Sequence, residues 1–458
     1  MALRELEHCR ISPAPAPASS RRPSLPFTFL DIPWLHLPAV ERLFFYNLPI
    51  STSHFIESQL PNLKSSLSIT LDQFYPLAGT ARRRPSDGRF EIHCSDEDSV
   101  PLEVSEFLDV DFRDVSGRHP RSLDKLLPLI PHLPTSPEAQ PLLAVKVTIF
   151  PSQGLCLAFK VHHVACDGFS STHFIKSWAA ACRIAVCGGG SPTPPPPSLD
   201  RSVISAPDSL YWKVAEDHEI LQKKEIRQQI HRNVAPPAVG RSSSSCMMSA
   251  TFTVAAEHVR RLKQRLHDKA TEEGKPCSHC STFSVSCAYA WVCVVKSRPQ
   301  AADDVEARLF FAVDSRRRIR PTIPAHYFGN CLGSACFVRA RAGELTGKDG
   351  VLVAGEAIGK EIEALEGADV YAEAAGIFPK IMEAIPHQPV TVAGSPRLRI
   401  YETDFGWGKP EKVEVTSIRE TGAISMAESR DDEGGVEIGI ILPVDQIGKY
   451  AKHFSSDF

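Results

Sequence analysis

Several features that would place a chain quickly in a function class are missing from this sequence. Its 51 basic and 54 acidic side chains leave a formal net charge of -3 over 458 residues, so the balance lacks the positive footprint that nucleic-acid binding needs. Nucleic acid is therefore not an expected partner. The longest apolar run, Phe283 to Val295 (FSVSCAYAWVCVV), falls short of the roughly 20 residues of a membrane span. The N-terminus, MALRELEHCR, is charged from Arg4 onward and lacks the apolar core and small-residue cleavage site of a secretory leader. A soluble, cytoplasmic protein with no membrane partner is the expectation.

Paired cysteine motifs are scarce too. The 13 cysteines include one local pair, CSHC from Cys277 to Cys280, with no second pair at a zinc-binding distance. The pair is read as a loop leading into a helix, and the other cysteines as reduced thiols used as small core residues. No internal repeat is present, and there is no GxSxG elbow to seat a serine nucleophile.

What is present is ordinary globular composition, 43% hydrophobic and 23% charged, over a length that calls for two domains of roughly 200 residues each. The stretch ISPAPAPASSRRPSLPF reads as an extended lead-in to the first ordered element. From Leu60, LPNLKSSLSITLDQFYPLAG has helical apolar spacing ended by Pro76 and Gly79. The β-like runs Leu142 to Phe150 and Leu155 to His163 flank PSQG and predict an antiparallel hairpin. Helical spacing resumes from Phe174.

Composition then breaks at CGGGSPTPPPPSLDRSVISAPD, Cys187 to Asp208, which is too rich in glycine and proline for regular structure and reads as a crossover. The expected division is residues 1–186, a linker over 187–210, and residues 211–458. Beyond the linker the pattern predicts a polar helix around Tyr211 to Arg232, a serine-rich loop at Ser242 to Ser245, a helix over about Ala256 to Glu273, and an apolar helix or strand from about Ser281.

Between the hairpin and the following helix lies FKVHHVACDGFS, Phe159 to Ser170. A metal site would need at least one further ligand from elsewhere. A lone strand-end histidine would most simply satisfy a buried hydrogen bond. With a second histidine, an aspartate and a glycine beside it, a third reading opens: His163 as a general base whose imidazole takes a proton from a hydroxyl attacking a carbonyl carbon. Asp167 could fix the local geometry across the turn, and Gly168 permits a close backbone approach. His162, on the opposite side of an alternating strand exit, is not the expected base.

HHVACDG resembles the H-x-x-x-D-G signature of the plant BAHD acyltransferase family, and DFGWG, Asp404 to Gly408, matches that family's second signature. PAVERLFFYNLP, STFSVSCAYAWVCVVK and FAVDSRRRIRPTIPAHYFGNC agree as well, so the resemblance runs along almost the whole chain. YFGNC is similar to the branch that acylates sugars of anthocyanins, flavonoids and other phenolic glucosides.

The resemblance implies an α/β fold of two chloramphenicol-acetyltransferase-like domains of similar size with mixed sheets, joined by the crossover, with an active-site channel between them. It implies His163 as the base, no covalent acyl-enzyme, no permanently bound cofactor and acyl-CoA as co-substrate. Asp167 would pair with Arg316, leaving Arg317 and Arg318 without a role. Asp404, Gly406, Trp407 and Gly408 would support the site structurally, Trp407 as an aromatic anchor.

The implied reaction moves an acyl group from CoA to a sugar hydroxyl of a phenolic glucoside, by a monomer. Malonyl-CoA is the favoured donor, and coumaroyl-CoA the alternative. Phe169 bears on that choice, since some malonyl-using relatives carry a basic side chain directly after the DG pair. Two other readings are weighed against these: a peptide-forming condensation domain, which shares HHxxxDG but lacks DFGWG, and a catalytically silent binder of CoA or phenolics.

Overall fold

The computed structural model describes residues 3–15, 21–134, 139–187, 193–221, 223, 246–298 and 304–456. Two large mixed sheets organise them. In the first, six strands run in the order Leu3–Ile11, Val100–Phe107, Leu143–Phe150, Gly154–Val161, Val40–Tyr46, Lys412–Val415. The second has seven, in the order Ser334–Arg341, Glu306–Val313, Val390–Ala393, Ile424–Glu428, Val436–Pro443, Met247–Val254, Arg121–Ser122. A four-stranded sheet built from residues of the first half completes the described strands. The architecture is the expected α/β pair of layered units.

The local patterns form as their periodicity requires. In the helix Leu60–Gln73, Leu60, Leu63, Leu67 and Leu71 make one buried stripe, and the turn Tyr75–Ala78 follows where Pro76 ends it. The hairpin is Leu143–Phe150 against Gly154–Val161, antiparallel through Val161 opposite Leu143. Every residue of Leu143–Phe150 is buried, as expected of a central strand covered on both faces. The helix Ala256–Glu272 lies where spacing puts it, and the apolar element after Ser281 is the helix Thr282–Ser297. Ser281 caps the latter, its hydroxyl accepting from Ser284 N at 3.1 Å, so CSHC is indeed the loop before a helix.

Three differences have physical causes. The proline-rich stretch does not lead into the first element, because the strand Leu3–Ile11 precedes it. That strand is a sheet edge with one open face, so charge masks its alternation. The polar helix spans Asp208–Leu221, residue 223 is a bend, and the remainder of its expected length, with the serine-rich loop, lies outside the described residues. The crossover is not wholly a surface linker: Arg201 within it is buried, with Nη1 donating to the Tyr327 hydroxyl at 2.6 Å.

The two halves also exchange strands. Lys412–Val415, from the second half, pairs with Val40–Tyr46 at the edge of the first sheet. Arg121–Ser122, from the first half, pairs with Met247–Val254 at the edge of the second. Buried charges meet at this exchange. Arg121 Nη2 donates to Glu414 Oε2 at 2.8 Å, Ser249 Oγ donates to Glu414 Oε1 at 2.7 Å, and Lys412 Nζ lies 3.2 Å from Glu437 Oε2.

Candidate active site

His163 follows the strand Gly154–Val161 and precedes the helix Gly168–Cys187, in a turn closed by Ala165 N donating to His162 O at 3.0 Å. The two histidines diverge as strand alternation requires. His162 is buried, with Nδ1 accepting from Val164 N at 3.3 Å and Nε2 meeting Gln140 Oε1 at 3.2 Å. Both of its nitrogens are engaged. Burial, with His163 and His36 nearby, pushes it down to about 4.

His163 stacks face to face on Trp34, ring centroids 4.0 Å apart and planes 12° apart. Burial lowers its basicity from the ordinary histidine value; Asp167 works against that shift and Arg42 with it. A lowered value keeps the imidazole neutral near pH 7, the form that accepts a proton.

Asp167 serves the backbone around the ring. Its carboxylate takes a two-pronged contact from Arg316, Nη1 to Oδ2 at 2.8 Å and Nη2 to Oδ1 at 3.1 Å. Ser170 N donates to Oδ1 at 2.9 Å and Cys331 N to Oδ2 at 3.0 Å. The pair is buried on both sides, a geometry in which fully used lone pairs offset desolvation. It ties the turn after His163 to the segment carrying YFGNC. Gly168 opens the helix, where an added Cβ would come within 3.4 Å of the Leu398 side chain.

The YFGNC segment reaches the histidine itself. Asn330 Nδ2 lies 3.1 Å from the carbonyl oxygens of both His163 and Val164, and 3.1 Å from Asp31 Oδ1. Asp31 is held in turn by Thr28, whose N and hydroxyl donate to Oδ2 at 2.8 and 2.9 Å. Of the remaining arginines in the run, Arg318 donates to Ser334 Oγ at 2.6 Å and to Leu365 O at 2.7 Å, while Arg317 is exposed. Phe169 is 42% exposed, and the Arg316 guanidinium carbon lies 5.0 Å from its ring centroid.

DFGWG forms a separate knot. Asp404 Oδ1 accepts from Gly406 N and Gly408 N, both at 2.8 Å. Both glycines have positive φ, +100° and +81°, which side chains disfavour. Trp407 donates to Gln59 Oε1 at 2.9 Å and packs on Tyr46, Phe55 and Phe405. This turn delivers the chain into Lys412–Val415, the exchanged edge strand. The motif loop follows the strand paired with one edge of Val40–Tyr46, and DFGWG precedes the strand paired with its other edge.

The Transferase family profile matches residues 7–457. Phenolic glucoside malonyltransferase 2 of Arabidopsis thaliana is 34% identical over 465 residues, covering 100% of this chain and 99% of its own. The chain belongs to the BAHD acyltransferase family. Two further Arabidopsis thaliana relatives show the range: coumaroyl-CoA:anthocyanidin 3-O-glucoside-6''-O-coumaroyltransferase 2, 35% identical over 95% of this chain and 93% of its own, and agmatine coumaroyltransferase, 34% identical over 96% of each.

Solved structures share the BAHD fold. Vinorine synthase superposes with a TM-score of 0.69 at 21% identity, over 98% of this chain and 96% of its own. Fusarium graminearum TRI101 in complex with coenzyme A and deoxynivalenol gives 0.63 at 15% identity, over 93% of this chain and 96% of its own.

Sequence reasoning about this BAHD acyltransferase missed Trp34, Asp31 and Asn330 as neighbours of the histidine loop. Asn330 stood within the quoted YFGNC and had no role assigned. Trp34 and Asp31 sit in DIPWLHLP, whose proline and aromatic content reads as ordinary loop. Only the turn of the chain brings them to His163.

Proposed function

We propose that the protein transfers an acyl group from acyl-CoA to a sugar hydroxyl of a phenolic glucoside, with His163 as general base. The observation that carries this reading is an imidazole stacked on Trp34, in a turn tied through Asp167 to Arg316. In the proposed step His163 takes the hydroxyl proton as that oxygen attacks the thioester carbonyl. The tetrahedral intermediate then expels CoA thiolate, which recovers the proton from the imidazolium. No acyl-enzyme bond is formed, and acyl-CoA is consumed as co-substrate in a channel between the two halves. Asp167, Gly168, Arg316, Asp404, Gly406, Trp407 and Gly408 act as structural support.

Malonyl-CoA is the proposed donor. The full-length likeness to a phenolic glucoside malonyltransferase and the YFGNC segment support it. A malonyl carboxylate needs a cation once desolvated, and Phe169 supplies none. Arg42 is the candidate: it is buried, donates to Thr172 Oγ1 at 3.1 Å, and among the described residues pairs with no carboxylate. The exposed Phe169 ring favours the second reading, a coumaroyl donor, because it could pack on an aromatic acyl group.

The test has two parts. Release of CoA thiol is measured with an acyl-CoA and a panel of glucosides, against the same mixture without glucoside; glucoside-dependent release is expected. Equal malonyl-CoA and coumaroyl-CoA then compete for one glucoside, with products resolved by mass. Malonylated product should predominate, and mainly coumaroylated product would overturn the donor while leaving the reaction class standing.

A further inference from the structure

Outside the base and its supports, a buried imidazole near Trp34 has both nitrogens without a hydrogen-bond partner among the described residues. His218 lies on the helix Asp208–Leu221, which packs against the turn Ile32–Trp34 and the helix Val370–Ala384. It is 5% exposed, and both ring nitrogens are buried with no hydrogen-bond partner among the described residues. Its ring stacks on exposed His36, centroids 4.8 Å apart and planes 12° apart. His36 stands two residues beyond Trp34, which stacks on His163. The two stacks therefore flank one short stretch of chain, the turn against which the His218 helix packs, and His36 reaches the surface.

Folding His218 into this position strands a donor and an acceptor that water would satisfy in the unfolded chain. Burial, with His36 alongside, pushes it down to about 3, so the ring is uncharged near neutral pH. A neutral imidazole offers one N–H and one lone pair. A hydroxyl has the same two capacities, whereas a carboxylate can use only the donor and an ammonium only the acceptor.

We propose that His218 is a binding residue for the acceptor, taking a hydroxyl of its sugar or aglycone beyond the one being acylated. This rests on the reading of the protein as an acyltransferase acting on a hydroxylated acceptor. It adds a specificity residue on the second half's first helix.

The test uses the full chain, malonyl-CoA and a glucoside that the wild type acylates. His218→Phe keeps the ring and its stack but removes both nitrogens. It should raise the acceptor KM by roughly five- to tenfold, the worth of one neutral hydrogen bond. The KM for acyl-CoA, kcat, and the slow acyl-CoA hydrolysis seen without acceptor should stay within about twofold of wild type. His218→Asn, which retains a donor and an acceptor, should recover part of the loss. Methylating the contacted hydroxyl should weaken the wild type by a similar factor and leave His218→Phe unaffected.

An unchanged acceptor KM in His218→Phe would overturn the subsite while the proposed function stood. A KM increase of equal size for every methylated and unmethylated acceptor would overturn it too. Turnover of amines alone by the wild type would overturn both the proposed function and the hydroxyl ligand. If His218→Phe does not fold, His218→Asn decides: an acceptor KM rise equal for hydroxylated and methylated acceptors overturns the subsite, and one confined to the hydroxylated acceptor supports it.

Discussion

Two buried ion pairs invite comparison, Asp167 with Arg316 beside His163 and Arg121 with Glu414 at the strand exchange. Both are closed by contacts of 2.8 Å and both are nearly inaccessible to solvent. Their physics is the same, yet they hold different things. Asp167 also accepts from Ser170 N and Cys331 N, so its pair shapes the backbone that aims His163. Glu414 accepts from Ser249 and sits in the exchanged strand, so its pair joins one sheet to the other. A buried salt bridge therefore says little by itself about catalysis; what else its carboxylate holds decides its role.

The largest expected effect lies at the ring that the first pair positions. His163→Ala should lower kcat by about a hundredfold to ten-thousandfold, the usual contribution of a positioned base, with the melting temperature nearly unchanged. His162→Ala should cost far less rate. Steady-state CoA release and thermal melts check both, and a more damaging His162 change would reassign the base.

The next effect separates the pairs. Arg316→Ala and Arg121→Ala should each cost about 3 to 5 kcal/mol of stability, because each strands a buried carboxylate. Arg316→Ala should also lower kcat per folded molecule, and Arg121→Ala should not. Denaturant melts with activity normalised to folded protein distinguish these outcomes; equal kcat losses would erase the contrast. In double-mutant cycles Asp167 with Arg316 should couple, whereas Asp167 with Arg121 should be additive.

DFGWG belongs with the strand exchange rather than with the ring. Asp404→Ala leaves the amides of Gly406 and Gly408 without their acceptor and should cost about 1 to 3 kcal/mol. The kcat of the folded fraction should hold. A large kcat loss with intact stability would instead give Asp404 a chemical role.

Acid separates the two regions in smaller steps. His162 and His218 are buried and depressed to about 4 and about 3, so the unfolded chain binds their protons first. Stability should fall as pH drops below about 6.5, by up to about 1.4 kcal/mol per pH unit for each ring, and level only below the folded values. Glu414 opens a lower window. Burial works to raise it, but Arg121 and Lys412 outweigh burial and hold it to about 2, so its contribution is present above about 4.5 and lost towards 2. Melts across pH in His218→Phe and Arg121→Ala would show which slope belongs to which region. The acid limb of kcat/KM should fall below 6.5, since burial lowers His163.

Much of this was legible residue by residue. Leu60, Leu63, Leu67 and Leu71 state their helix, and the runs on either side of PSQG state their hairpin, because burying one stripe or one face imposes a period on the local sequence. The HHVACDG and DFGWG signatures made His163, Asp167 and Asp404 visible before any coordinate. Arg121, Glu414 and His218 gave no such signal. Their surroundings come from segments far away along the chain, and neither a charge nor an imidazole carries a mark of whether it will be buried.

By itself, then, the sequence determined the periodic elements, the family and the residue types available for proton transfer, since each is written in local spacing or in a motif. Tertiary structure alone decided which sheet received Lys412–Val415 and Arg121–Ser122, that Asn330 would bridge the carbonyls of His163 and Val164, and that Trp34 would lie flat on His163. Edge pairing and ring stacking are settled by which surfaces meet when the halves close, and that depends on the packing of the whole chain rather than on any window of it.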